Sequence, residues 1–327
     1  MAFDSSSLGP ALDAGFRQDA AEKVYRLLDL LRDLNQDQRT AGMFTLKGGT
    51  ALNVFHLPDV PRLSVDIDLM VTGDPEASPG SEGRREVIDA VAHAARKGYD
   101  VQVDDSEESG CTMILAYHNS FGTPDSIKVD LDFLNRTTLL ESELRRGPTL
   151  FDATDLRFPT VSPSELLGSK LTAVAYRCHP RDVYDMFRML TLGWHEAQDA
   201  RSMYLAYSFL KDDELYRLAY PMKLDVAYDG DLLADVLRTS ERAPTLDAVR
   251  ALAQRLLGRA PTFGALVGDE VVLHQRLLAG DVSAFPELCG TRDAERRRVL
   301  SNHPGLRWRL AQSDKRQRRT RKIARNR

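Results

Sequence analysis

From Ala20 to Leu34 the apolar residues Ala21, Val24, Leu27, Leu28, Leu31 and Leu34 recur at three- and four-residue spacing. That period predicts a helix with one buried face. The rhythm then changes. MFTLKGGTALNVF reads as a short strand ending near Leu46, a Gly-Gly turn and a helix. VDIDLMV alternates apolar and acidic residues, the period of a strand with one face in the core. The stretch from Gly73 to Gly83 is rich in Pro, Gly, Ser and acids and predicts a loop. Arg84 to Lys97 reads as a helix stopped by Gly98, and further strands are expected at Tyr99–Val103, Cys111–His118 and Ile127–Leu134. DDSEESG, from Asp104 to Gly110, is the polar turn between the first two of these.

After about residue 160 strand signals fade. SPSELLGSKLTAVAYR opens with Ser162 as a cap, Pro163 at the first helical position and Glu165 three residues after the cap. Helical periodicity continues in Leu210–Leu218, Leu232–Leu237, Leu246–Leu257 and Val271–Leu278. No internal repeat is present. The pattern divides the chain into a mixed α/β part over 1–160, a helical part over 161–314 and a tail over 315–327.

Composition adds one asymmetry. The 327 residues are 43% hydrophobic and 28% charged, the balance of an ordinary globular protein. Lys315 to Arg327 carries eight basic residues and no acid, so removing them takes the net charge from −4 to −12. A dense cationic run binds nucleic acid through counterion release, and Arg318, Arg319, Arg321 and Lys322 are its centre. The other reading of the tail is a solubility feature. Upstream, Arg307-Trp308-Arg309 sets an aromatic between two cations. Trp194, Tyr204, Tyr207, Tyr216 and Tyr220 sit among apolar neighbours and read as core, with base stacking as the alternative. The three cysteines are scattered and odd in number, giving neither a disulfide framework nor a zinc spacing. None of the seven histidines has metal-ligand or triad spacing. The N-terminus lacks the basic start and apolar core of a secretory signal, and no stretch reaches membrane-spanning length. A reducing cytoplasm is the expected location.

The chemistry concentrates at Asp66-Ile67-Asp68. Residues two apart on a strand share a face, so the two carboxylates project side by side, an arrangement that a cation between them relieves. Mg²⁺ (or Mn²⁺) suits a few carboxylates with phosphate oxygens and water. KVDLD offers a third carboxylate, Asp130 or Asp132, from another alternating strand. Three such groups can hold two metals for phosphoryl chemistry. Solvated acids on an edge strand are the plain alternative for an isolated D-x-D. Upstream, Lys47-Gly48-Gly49-Thr50 lies between strand and helix, where glycines let the backbone approach phosphate and helix-start N–H groups attract anions. Lys47 adds a charge and Thr50 a hydroxyl. The order of a P-loop is missing.

Together these motifs resemble the AbiEii/AbiGii nucleotidyltransferase toxins of type IV toxin–antitoxin systems, a branch of the polymerase β-like superfamily. KGGTAL, then Arg62-Leu63-Ser64-Val65-Asp66-Ile67-Asp68, then IKVDLDF, SPSELLGSKLTAVAYR and RDVYDMFRML occur in the family's order over about residues 44–190. The resemblance implies an α+β fold: a nucleotidyltransferase core with a mixed sheet, followed by a mainly helical part that completes the cleft. It implies Asp66, Asp68 and Asp130 as metal ligands. Lys47, Gly48, Gly49, Thr50 and Ser64 would line the triphosphate, Lys170 would contact nucleotide phosphates, and Asp182 would be an acid needed for activity. Asp185 would sit beside the site or anchor its helix. The plain structural reading of Arg62 is that it holds the loop before the metal strand. Read from charge alone, Asp182 and Asp185 balance Arg181 and Arg188 in surface pairs, and Lys170 is solvated.

The implied reaction moves a nucleoside monophosphate from an NTP to an RNA hydroxyl, the 3′ end of tRNA, which blocks translation. The implied partner is a cognate antitoxin. Two other readings stand: transfer to a protein or small-molecule hydroxyl, and a non-catalytic nucleotide- or RNA-binding module.

Overall fold

A computed structural model describes residues 5–57, 59–73, 83–211, 228–256 and 266–312. Its centre is a seven-stranded mixed sheet in the order β3-β4-β5-β2-β1-β7-β6. The strands are β1 (Phe44–Lys47), β2 (Asp66–Val71), β3 (Asp100–Asp104), β4 (Gly110–His118), β5 (Pro124–Asp132), β6 (Glu143–Arg146) and β7 (Arg157–Thr160). β2 runs parallel to β5 and antiparallel to β1, and β7 joins β1 in parallel.

The alternation in the sequence sorts the two faces. Ile67, Leu69, Val129, Leu131, Met113 and Leu115 are at most 1% exposed and form one face. Helices α2 (Gln18–Gln36) and α4 (Gly83–Ala95) pack together against that side of the sheet. The buried stripe of α2 contains all six apolar positions of its predicted period. Each leucine or valine so covered is worth roughly 1.5–3 kcal/mol. A short helix α1 (Gly9–Asp13) precedes α2, and α3 starts at Gly48–Thr50 and continues as a wider π-type turn over Ala51–His56.

Beyond the sheet come α5 (Pro163–Tyr176), α6 (Pro180–Thr191), α7 (Ala200–Lys211), α8 (Leu246–Leu256), α9 (Asp269–Leu278), α10 (Ala284–Leu288) and α11 (Ala294–Ser301), with a further helical segment over 304–312. Ser162 caps α5 as expected, its hydroxyl accepting from the Glu165 N–H at 3.3 Å. The Glu165 carboxylate does not return to the cap. It is fully buried and accepts from the N–H groups of Leu139 (3.0 Å) and Leu140 (3.2 Å) and from the Tyr207 hydroxyl (2.8 Å). The chain near residue 300 folds back onto the same stretch: Arg296 donates to the Leu140 carbonyl at 2.5 Å, and His303 Nε2 meets the Thr137 carbonyl at 3.2 Å.

Several expectations change. β5 ends at Asp132 rather than Leu134, because the Asp132 carboxylate accepts from the N–H groups of Leu134 (2.9 Å) and Asn135 (2.8 Å) and turns the chain. Leu232–Leu237 is not a regular helix: a 3₁₀ turn over Gly230–Leu233 leads to an isolated bridge between Leu237 and Arg62. There Leu233 and Leu237 pack on Tyr184, and the Val236 carbonyl accepts from the Leu63 N–H at 2.8 Å. Most of the predicted Leu210–Leu218 helix, with Tyr216 and Tyr220, lies outside the described residues, as does the tail with Arg318, Arg319, Arg321 and Lys322. All three cysteines are free and buried, and Tyr204 is core. Among the described residues no helix is long and apolar enough to cross a membrane.

Candidate active site

The polar face of the sheet carries the acids. In the ladder Lys47 on β1 faces Asp68 on β2, Asp68 faces Asp130 on β5, and Asp130 faces Thr112 on β4. Four strands thus set one row of polar side chains, with Asp66 one step along β2 on the same face. Burial lifts the Asp68 carboxyl above the ordinary carboxylate range. Lys47 and Lys170 oppose that shift, while Asp130 and Asp66 add to it by like-charge repulsion.

The glycines fit this row closely. Gly48 has φ +70°, and a Cβ built there would fall 2.0 Å from Asp68 Oδ2. Only glycine permits both the left-handed backbone and the contact. A Cβ on Gly49 would lie 2.7 Å from Ser64 Oγ. The α3 start is therefore seated directly against β2 and the residues before it. Thr50 is fully buried, and its hydroxyl donates to the Asp66 carbonyl at 2.5 Å. That hydroxyl fastens the turn to the strand.

Asp130 and Asp132 have different surroundings. Asp132 is saturated: besides two backbone N–H groups it takes the Asn135 amide at 2.8 Å and an ion pair from Lys47. Burial works against the Asp132 charge, but Lys47 and Asn135 outweigh it and hold the carboxyl below its usual range. Burial likewise opposes the Lys47 charge, and Asp132 and Asp68 keep that ammonium above its ordinary value. Asp130 meets Thr112 Oγ1 at 2.6 Å and Lys128 Nζ at 2.6 Å, and Asp66 meets Arg181 Nη1 at 3.3 Å. Among the described residues no three His, Cys, Asp or Glu side chains converge at ligand distance, since Asp66 and Asp130 each lean toward a cation. The donor set is nonetheless all oxygen on adjacent strands, the chemistry that suits a hard divalent cation.

Above the row, α5 and α6 bring a buried charge network. Lys170 Nζ contacts Asp185 Oδ2 at 2.7 Å and Asp182 Oδ1 at 3.1 Å. Arg62, 2% exposed, grips Asp185 through Nε (2.8 Å) and Nη2 (2.7 Å), and Asn53 donates to the same carboxylate at 3.0 Å. Arg177 binds Asp182 at 2.7 Å. Burial opposes the Asp185 and Asp182 charges, but Arg62 and Lys170 at the first, and Lys170 and Arg177 at the second, hold both carboxyls below the usual range. The surface-pair expectation is thereby overturned: Arg181 reaches Asp66, Arg188 reaches Asp59, and Asp182 and Asp185 face inward to Lys170. Lys170 is 7% exposed, so it is not a solvated helix lysine. Arg62 holds the loop before β2, the structural reading of that residue. Sequence reasoning missed Arg177 and Asn53. Their signal was positional, Arg177 closing the α5 motif and Asn53 standing one turn beyond Gly49.

Comparison with known proteins bears on the family and the fold. The family model described as nucleotidyl transferase AbiEii toxin, type IV toxin–antitoxin system, matches residues 29–267. Among solved structures, MenT4, a nucleotidyltransferase toxin from Mycobacterium tuberculosis H37Rv, is 17% identical with a TM-score of 0.52, over 94% of this chain and 98% of that one. At that identity the likeness is one of fold. No curated protein sequence matches the chain. Since the family model spans well over half of the residues, the chain belongs to the AbiEii family of nucleotidyltransferase toxins.

Proposed function

We propose that this enzyme transfers a nucleoside monophosphate from an NTP to the 3′ end of tRNA in the cytoplasm, blocking translation, and that a cognate antitoxin restrains it. The observation that carries the proposal is the seating of Gly48 against Asp68, which sets the start of α3 beside adjacent carboxylates on β2 and β5.

In this reading Asp66, Asp68 and Asp130 hold Mg²⁺ or Mn²⁺. Asp130 is favoured over Asp132 because it faces Asp68 directly and is not saturated by internal donors. Bound there, the metal supplies positive charge to the transferring phosphate and the attacking hydroxyl. Gly48, Gly49 and the α3 N–H groups cradle the triphosphate, with Ser64 beneath them. The Thr50 hydroxyl keeps that turn on β2. Lys47 orders the row through Asp132 and adds charge on the triphosphate side. Lys170 turns from its two carboxylates toward the phosphates, and Asp182 and Asp185 hold it ready.

The acceptor oxygen bonds to the α-phosphorus, the bond from that phosphorus to the β-bridging oxygen breaks, and pyrophosphate leaves. The hydroxyl proton passes to the Asp130 carboxylate. Residues 1–160 are the catalytic domain, 161–314 complete the cleft, and the tail from 315 gathers RNA through its cations. A balance of −12 on the rest of the chain disfavours RNA elsewhere.

The test is a reconstituted translation reaction pre-treated with the protein, NTPs and Mg²⁺. Protein synthesis should stop and return when the enzyme is removed and fresh tRNA is added. If fresh tRNA does not restore synthesis, tRNA is not the acceptor.

A further inference from the structure

We propose that the cleft between the end of β5, α5, α7 and the 304–312 segment binds the unpaired terminal base of the nucleic-acid acceptor, stacked on Tyr176 and Trp308. The proposal rests on the nucleotidyl-transfer reading and adds where the acceptor end is held.

The cleft encloses about 570 Å³ and is lined by Leu134, Asn135, Tyr176, Arg177, Lys211 and Trp308 among others. That is the size of small-ligand pockets, roughly 300–1,000 Å³, where an apolar wall is combined with a few polar groups. Three aromatics line it: Tyr207, whose hydroxyl is held by Glu165, and the two proposed to stack the base, Tyr176 and Trp308. Tyr176 is 48% exposed at the end of α5, and Lys211 Nζ lies 4.5 Å from its centroid. Trp308 contributes from the last described helical segment, half-buried. Aromatic faces with nearby cations form the stacking platform that single-stranded nucleic acid uses irrespective of sequence.

Position favours the acceptor over the incoming nucleotide. Across the sheet the Gly-Gly turn follows β1, and the order then runs β2, β5, β4. The cleft is lined by Ser109, just before β4, and by Leu134 and Asn135, just after β5. It therefore opens on the far side of Asp68 and Asp130 from the turn that cradles the triphosphate. A group attacking the α-phosphorus must arrive opposite the leaving pyrophosphate, which is this side. Two links tie the cleft to the row. Asn135 Nδ2 donates to Asp132 at 2.8 Å, and Arg177, which lines the cleft, pairs with Asp182 at 2.7 Å. Finally, the helical segment that carries Trp308 leads in sequence directly to the eight cations from Lys315 onward.

The test uses the full chain carrying Asp68→Asn, with no turnover, and a short labelled single-stranded oligoribonucleotide at raised salt, which screens the tail and leaves stacking. Tyr176→Ala and Trp308→Ala should each weaken binding about 5- to 100-fold. Tyr176→Phe and Trp308→Phe should restore it, because a ring is what the base requires. In the active background the alanine variants should raise KM for tRNA and not KM for NTP. Unchanged oligonucleotide binding in both alanine variants would overturn the proposal. A rise confined to KM for NTP would also overturn it, giving the cleft to the nucleotide. The underlying reading fails separately: it falls if Asp68→Asn alone retains transfer, whatever the binding experiment gives.

Discussion

Arg62 and Asp185, 123 positions apart in the chain, form a two-pronged ion pair at 2.7 and 2.8 Å with neither side chain more than 2% exposed. It joins the loop before the carboxylate strand to α6, and Lys170 shares the same carboxylate at 2.7 Å. Removing one partner of a buried pair strands the others without compensation. Asp185→Asn should therefore cost about 3–5 kcal/mol of stability, read as a shift in the urea midpoint. A change below about 1 kcal/mol would mean that water replaces the carboxylate freely, contrary to the burial seen.

Gly48→Ala tests the seating of the turn. At φ +70° with 2.0 Å to Asp68 Oδ2, the added methyl must push the carboxylate or the turn aside. Such misplacement of about 1 Å costs on the order of 100-fold in rate. Transfer should fall by that much while the melting temperature drops by only a few degrees, consistent with about 1 kcal/mol of left-handed strain. Wild-type turnover in the variant would separate this turn from catalysis.

Acid sensitivity should trace in part to two histidines, His56 and His303, whose pKa burial pushes down to about 4. His303 Nδ1 accepts from the Gly305 N–H at 3.1 Å, and burial pushes its pKa down to about 4. A depressed folded value means that the unfolded chain binds the proton more readily. Stability is thus full above the unfolded value near 6.5 and is lost as pH falls toward about 4. This single site accounts for up to roughly 3 kcal/mol of that loss. His303→Gln, followed by urea melts at several pH values, should flatten stability over this window; an unaltered slope would assign the loss to other groups.

Deleting Lys315–Arg327 removes eight cations. RNA affinity should weaken, and the dependence of log Kd on log salt should flatten by roughly 0.7–0.9 per lost phosphate contact. A truncated protein with the same salt slope would return the tail to a solubility role.

Much of the site was readable because strand alternation puts chemistry and core on opposite faces. Asp66 and Asp68 follow from period two, which also sets Asp130 and Asp132 on one face without choosing between them, while Ile67, Leu69, Val129 and Leu131 supply the buried side that fixes the register. The Ser162-Pro163 start of α5 was equally local. The edge strand β6 and its neighbour β7 were not foreseen: ELRR and RFPT are four residues each, charged or broken by Pro159, with no period long enough to detect. Glu165 looked like half of a capping box, yet its carboxylate turns inward to Leu139, Leu140 and Tyr207. Partners so distant depend on tertiary packing. The Arg62–Asp185 pair and the turn near Leu233 that backs Tyr184 were hidden for the same reason.

The most direct measurement of the central claim is transfer itself: purified protein, total tRNA, Mg²⁺ and each α-labelled NTP in turn, beside an Asp66→Ala control. Label should appear on tRNA and be lost both in the control and on chelation of the metal. Label on tRNA that survives Asp66→Ala, or none on tRNA with any nucleotide, would contradict the account.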